Sequence, residues 1–176
     1  MAPLQPEQAQ FVRQFLLDGL KREHKVTRGV IEAIPPDKGD YRPDAIVKCA
    51  NDLAWHIVGA EHRFMEAVIN GAFDFSNTGR PPELTNSAEI ARWYGDQFQR
   101  DSGGVAALPA EALLKIVDFR GIFQLPAVTY LQTAMIHSIH HRGQLSMYLR
   151  PMGAKVPSIY GESYDDAQAR KAAAQA

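Results

Sequence analysis

His137 and His141 stand four residues apart in the string His137-Ser138-Ile139-His140-His141-Arg142-Gly143-Gln144-Leu145. On a helix that spacing sets two imidazoles on one face, one turn apart. Two histidines so placed can bind one metal ion when a third ligand arrives from elsewhere in the fold. His56 is the candidate for that third position. It lies between Leu53 and Ala60 at helical spacing, where a lone histidine is more often a hydrogen-bonded core residue than a ligand.

The helix carrying the pair is polar on a face that should be core. At about 100° per residue, Tyr130, Thr133, Ala134, His137, His141, Gln144 and Tyr148 share one side. Leu131, Met135, Leu145 and Leu149 form an apolar flank beside it, and Arg142 points the opposite way. Arg142 is therefore read as facing outward, toward a surface or subunit contact. His140 lies about 60° off the His137 direction and reads as a partly exposed neighbour. Buried polar groups left unsatisfied cost about 1–3 kcal/mol each, so clustering them on one face requires partners.

Four helices are expected to position these residues. The first runs from Pro6 to Ile34, with a stripe of Phe11, Phe15, Leu16, Leu20, Val26, Val30 and Ile34 stopped by Pro35-Pro36. Glu23 falls on that stripe; the choice is between an edge residue paired with a base, which is favoured, and a carboxylate close to the metal. The second helix opens at Pro43 and ends at Asn70-Gly71. Its inward stripe is Ile46, Cys49, Leu53, His56, Ala60, Phe64 and Val68, with His62 off the stripe and solvated. After an irregular stretch over 73–84, Asn86-Ser87-Ala88-Glu89 is a capping box opening the third helix. That helix is expected to stop at Ser102-Gly103-Gly104. A short helix near Pro109 and a segment over 115–124, which reads as extended, as a short hairpin around Arg120-Gly121 or as an irregular lid, lead to the last helix, which opens at Pro126 and stops at Gly153. An extended segment over 155–161 crosses the helices, and the tail is frayed or weakly helical. The fold class is all-α, a four-helix bundle with long connections between helices two and three and three and four. Its domain covers 1–161, followed by a polar C-terminal tail over 162–176.

The totals exclude several classes. A chain of 176 residues with a 45% hydrophobic and 22% charged composition reads as one globular domain. A formal net charge of −1 gives no electrostatic reason to bind nucleic acid or an anionic membrane. No apolar run reaches bilayer-spanning length, and Met1 to Glu7 lacks the basic flank and apolar run of a secretory signal. The single cysteine, Cys49, permits no internal disulfide and reads as a small core residue. A cytoplasmic location is expected.

The string His137-x-x-x-His141-Arg142-Gly143-Gln144-Leu145, with Tyr148-Leu149-Arg150, Gly153 and Val156-Pro157 after it, resembles the DinB-like (DinB/YfiT, damage-inducible) family. Upstream, Ile34-Pro35, Tyr41-Arg42-Pro43 and the inward His56 are similar to the family's first half. The resemblance covers roughly residues 10 to 161. It implies a divalent metal, zinc or nickel foremost, held by His56, His137 and His141, in a homodimeric protein of stress response. It further implies thiol-dependent transferase or isomerase chemistry, with a low-molecular-weight bacterial thiol as one partner and a small molecule as the other.

Three neutral imidazoles leave at least one coordination position open, as catalytic sites require. A water there would be acidified for hydrolysis; a thiolate there would be stabilised for transfer to an electrophile. Gln144 could orient a ligand, and Tyr130, Tyr148 and Tyr160 could donate hydrogen bonds, although each reads first as a packed aromatic. The competing class is a non-catalytic metal-stabilised module that binds a small ligand or dimerises.

Overall fold

Helix starts in this chain follow local chemistry. The first, α1 (Pro6–Glu32), has proline where a missing N–H is harmless and a capping box between Gln5 and Gln8. These elements belong to a computed structural model that describes residues 4–175; the first residues of the segment read for a secretory signal lie outside it. α2 (Ala50–Asn70) ends on Gly71, whose left-handed φ of 67° closes the last turn. α3 (Ser87–Ala107) opens with the expected box: the Asn86 side chain accepts from the Glu89 N–H at 3.0 Å. A short α4 (Ala110–Leu114) leads into β1 (Ile116–Phe119) and β2 (Phe123–Pro126), an antiparallel pair that matches Phe119 with Phe123. α5 (Thr129–Leu149) carries the histidine string, and α6 (Tyr164–Ala173) follows an extended segment.

The chain is mostly helical, and its four long helices close on one another: α2 packs on α3 and α5, and α1 packs on those same two. Two apolar clusters fill the interior. Leu17, Leu20, Met65, Leu113 and Leu131 belong to one; Ile31, Ile57, Ile90, Leu145 and Leu149 belong to the other. On α1 and α5 the polar residues Thr27, Ser138 and Arg142 fall in the sequence intervals between the two clusters, on α2 Glu61 lies just past the boundary between Val58 and Ala60, and all four are buried. Tyr94 donates to Glu61 Oε1 at 2.7 Å and Ser138 donates to Glu61 Oε2 at 2.5 Å. Arg142 donates to Glu23 Oε2 at 2.6 Å, to Thr27 at 3.2 Å and to the Tyr160 hydroxyl at 2.6 Å. A polar layer thus crosses the core.

Several expectations need correction. Arg142 does not reach solvent; it is 1% exposed, because the side of α5 opposite the histidines faces α1. Phe11 and Phe15 are 72% and 64% exposed, since the buried stripe of α1 passes through Ala9, Leu16 and Leu17 instead. α2 begins seven residues later than Pro43: the preceding segment turns back so that Tyr41 and Gly39 carbonyls accept from Ala50 and Asn51 N–H groups, and Ile46 is left 93% exposed. Ser102-Gly103-Gly104 does not stop α3. A Cβ at Gly104 would lie 2.8 Å from Ile69 Cδ1, so this glycine serves close packing of α3 on α2. Pro126 closes β2 instead of opening α5. Of the two readings of the tail the helical one is observed: it holds α6, capped by Ser163 and tied back through Arg150 and Asp165 at 2.8 Å. The hairpin at Arg120-Gly121 is present. No helix among the described residues is long and apolar enough to cross a membrane.

The Arg142–Glu23 pair predicts a large single-site effect. Removing the guanidinium strands a mostly buried carboxylate, so Arg142→Ala should lower unfolding free energy by about 3 kcal/mol. Glu23→Gln, which keeps an acceptor for Arg142, should cost less. Urea denaturation of both variants measures the difference.

Candidate metal centre

α2 and α5 bring three imidazoles together across their contact. His56 projects from the middle of α2, and His137 and His141 from successive turns of α5. One ligand atom from each of the three lies within 4.8 Å of the others. Among the described residues this is the one group of three or more potential ligands so arranged. His56 Nε2 and His141 Nε2 approach to 3.1 Å. The ring of His137 lies 4.8 Å from that of His56 and 4.4 Å from that of His141, centroid to centroid.

Gln144 selects the tautomer of His141. Its amide nitrogen donates to His140 Nε2 at 3.3 Å, which turns its carbonyl oxygen toward His141 Nδ1 at 2.7 Å. The Nδ1 position must then carry the proton, and Nε2 keeps a free lone pair beside His56. Outer hydrogen bonds of this kind orient metal-binding imidazoles. His137 has a different signature: its Nδ1 is buried and meets no hydrogen-bond partner among the described residues. An orphaned ring nitrogen and a lone pair held ready fit a site that accepts a cation.

The electrostatics keep two of the donors, His56 and His137, neutral. Burial, then His141, Lys48 and Arg63, lowers His56 to about 4. Burial, then the neighbouring histidines and Arg63, lowers His137 to about 3. Imidazole must be neutral to ligate, so both rings are ready at neutral pH without losing a proton.

The histidines open on three cavities, two of which also reach a histidine of α5. His56 and His141 border a cleft of about 610 Å³ with an apolar wall of Ile46, Leu53, Met147 and Tyr148. His56 and His137 border a second space of about 300 Å³, walled by Phe64, Phe73, Phe75 and Phe119 and flanked by Arg63 and Arg120.

The other candidates fall into place around this centre. Tyr148 lines the larger cleft and donates to the Lys48 carbonyl at 3.4 Å. Tyr130 donates to the Val117 carbonyl at 2.9 Å, and the Tyr160 hydroxyl is shared between Arg142 and Glu23. Glu23 is held by Arg142, so of its two readings the paired base is the one observed. Cys49 is buried at the start of α2, and burial pushes its thiol up from the ordinary value. His62 is not solvated as expected: its Nδ1 meets the buried Asp101 carboxylate at 2.7 Å. Sequence reasoning missed Glu61 and Arg63. Glu61 interrupts the apolar run Ala54, Ile57, Met65, Val68, and Arg63 is two turns beyond His56, so the helical period of α2 carried both signals.

Comparison with known proteins identifies the family and the fold. A family model described as the DinB family matches residues 10–173. The Bacillus subtilis protein YjoA is 30% identical over 131 residues, which cover 73% of this chain and 82% of YjoA. A second protein from that organism, YrdA, is 29% identical over 119 residues, 65% of this chain and 67% of its own. The crystal structure of YjoA, a DinB-like protein, superposes with a TM-score of 0.70 at 26% identity, covering 84% of this chain and 99% of that one. A DinB-like protein from Bacillus cereus has the same fold, with a TM-score of 0.70 at 24% identity over 82% of this chain and 95% of its own.

The buried imidazoles predict an acid-sensitive fold in metal-free protein. His24 is also lowered to about 4, first by burial against Tyr94 and Phe98. From the ordinary value of 6.5 down to about 4, the unfolded chain binds protons at His24, His56 and His137 that the folded chain refuses. Stability therefore falls as pH drops through that window. Glu61 acts with the opposite sign: burial raises its carboxyl from 4.5 to about 7, so it adds stability as pH falls through that range. Three groups oppose one. The urea midpoint of chelator-treated protein should be lower at pH 4.5 than at pH 7.

Proposed function

The chain belongs to the DinB family, and on that premise we propose that it is a metal-dependent enzyme acting on a small molecule within a four-helix bundle. The convergence of His56, His137 and His141, with no carboxylate among them, is the observation that carries this reading. Zinc or nickel suits three imidazoles, although imidazole also accepts copper and iron. A divalent ion at this donor set, with a position left open, would supply acidification of a bound water or thiol.

The chain's own residues supply the rest. Gln144 holds His141 in the tautomer that leaves Nε2 free. Burial keeps His56 and His137 unprotonated. The apolar wall formed by Ile46, Leu53 and Met147 offers room for the carbon skeleton of a reactant next to His56 and His141. Lys48 and Arg63, which bear on His56, favour an anionic occupant such as a thiolate. Transfer of a low-molecular-weight thiol to an electrophile fits this better than hydrolysis, because hydrolysis would gain from a side-chain base. Glu23, the acidic candidate, is already committed to Arg142. That same scarcity of free acid–base groups favours a second reading, a metal-stabilised module that binds a ligand without turning it over. The protein would act as a cytoplasmic homodimer, a pairing supported by the exposed Phe11 and Phe15 on α1.

Two measurements test the metal, one tests the chemistry and one the pairing. Elemental analysis of protein purified without an affinity tag should find close to one ion per chain, and His137→Ala should abolish it. Gln144→Leu should weaken metal affinity by about 10–100-fold while leaving the fold intact. Metal-loaded protein should turn over electrophiles with a bacterial thiol, and His137→Ala should not. Substoichiometric metal, with no change in melting temperature on adding zinc or nickel, overturns the site; full metal with no turnover in any assay favours the binding module. Light scattering should give a dimer mass that Phe11→Glu reduces to that of a monomer.

A further inference from the structure

Arg120 occupies a backbone conformation that its side chain does not favour. The turn Phe119–Ile122 is closed by the Ile122 N–H donating to the Phe119 carbonyl at 2.9 Å, with φ of 56° at Arg120 and 71° at Gly121. Such mirror-image turns select asparagine, aspartate or glycine at both central positions. Arg120 is the one non-glycine residue with positive φ among the described residues. Strain of this kind is kept where the side chain has a use.

The guanidinium of Arg120 is laid over the Phe75 ring, 3.9 Å from its centroid, on the wall of the cavity beside His56 and His137. Arg63, half-buried on α2, lines the same cavity. Among the described residues neither guanidinium has a carboxylate within ion-pair distance. The acidic side chains nearest in effect to Arg63 are Asp74 and Glu66. They are engaged elsewhere: Asp74 accepts from the Ser76 N–H at 2.8 Å, and Glu66 lies 3.3 Å from His62 Nε2. Burial and then Arg120 lower Arg63 from its ordinary value, so the two cations also repel each other. Two like charges converge on one small aromatic space, and Asp74 and Glu66 offset the effect on Arg63 only in part.

We propose that this cavity is an anion subsite, in which Arg63 and Arg120 hold the charged group of a small organic acid whose apolar body lies among Phe64, Phe73, Phe75 and Phe119. Guanidinium forks match planar carboxylates and stack on aromatic faces, so arginine suits both tasks here. As a statement about substrate, the inference rests on the metal-enzyme reading and narrows its electrophile to an aromatic or apolar anion; as a binding site it does not require the metal.

The probe is phenylacetate, with phenylacetamide as its neutral counterpart, titrated by calorimetry or by amide chemical shifts into full-length protein both chelator-treated and zinc-loaded. Phenylacetate should bind at least about tenfold more tightly than phenylacetamide in both preparations. Arg63→Gln and Arg120→Gln should each remove about tenfold of that affinity. Arg120→Gly supplies a control on folding: glycine accepts the left-handed turn, so its melting temperature should equal or exceed the wild type while anion affinity falls. Equal binding of acid and amide, affinity unchanged in both arginine variants, or no binding at millimolar phenylacetate each overturns the subsite. Binding that requires zinc and ignores both arginines places the carboxylate on the metal and also overturns it. Arginine-dependent binding that is the same with and without zinc sustains the subsite even if the metal reading fails.

Discussion

Every polar group in the layer that divides the core must find its partner, or α5 cannot lie where it does. Glu61, Ser138 and Arg142 are all essentially removed from solvent. Leaving any one unpaired costs about 1–3 kcal/mol, and more for a charge. Ser138 reaches Glu61 on α2, and Arg142 reaches Glu23 on α1. These two links pull α5 in two directions, and only one axial position and one rotation satisfy both. Apolar contacts between Leu131, Leu145 and Leu149 and their neighbours would tolerate a range of small displacements. The polar layer removes that freedom. Tyr160 completes it by bridging Arg142 and Glu23 from the far end of the chain.

The histidine centre depends on that placement. His137 precedes Ser138, and His141 precedes Arg142. Along α5, each residue that faces the open corner with α2 is therefore followed by one that fixes the helix within the core. Rotating α5 to relieve one set would misplace the other. The imidazoles gain a position held by charge pairs and hydrogen bonds that do not themselves touch a metal. His56 and His137 also gain neutrality, because burial, the neighbouring histidines and Arg63 suppress their protonation, with Lys48 adding to this at His56. The same cations oppose the entry of a divalent ion. A site built from three neutral donors near positive charge is most stable when the ion brings an anion with it, which favours an anionic reactant over a neutral one.

Much of this was legible in the residues themselves. The helical period of α5 put His137, His141, Gln144 and Tyr148 on one face, the capping box located the start of α3, and Arg120-Gly121 marked the hairpin. His56 reached the same corner because α2 and α5 are neighbours, a fact no single helix contains. The misplacements share a cause: a wheel ranks the directions around one helix without saying what lies in each. Arg142 points away from His137 as its position requires, yet α1 lies there instead of water. Phe11 and Phe15 fit a three-four spacing, but α1 turns other residues inward. Gly103-Gly104 has the composition of a helix stop, and the closeness of Ile69 gives Gly104 a packing role instead.

Arg120 shows how the hairpin serves the same corner from outside the helices. A tight turn would be satisfied by Asn-Gly, and nothing in the pairing of β1 with β2 calls for a long cation at its tip. The turn is nevertheless well placed: Phe119, paired with Phe123 at the turn, contributes its ring to the cavity wall, and Arg120 then projects over Phe75. A position that gives up local backbone preference, and sets a charge opposite another of the same sign, works against stability twice. Natural chains keep such residues where function opposes the change that would relieve them. Two cations on different elements, Arg63 on α2 and Arg120 on the hairpin, meet at one aromatic cavity with no carboxylate among the described residues of its lining. Convergence on a shared cavity, more than the lack of an ion pair, separates these two cations from lone solvated ones.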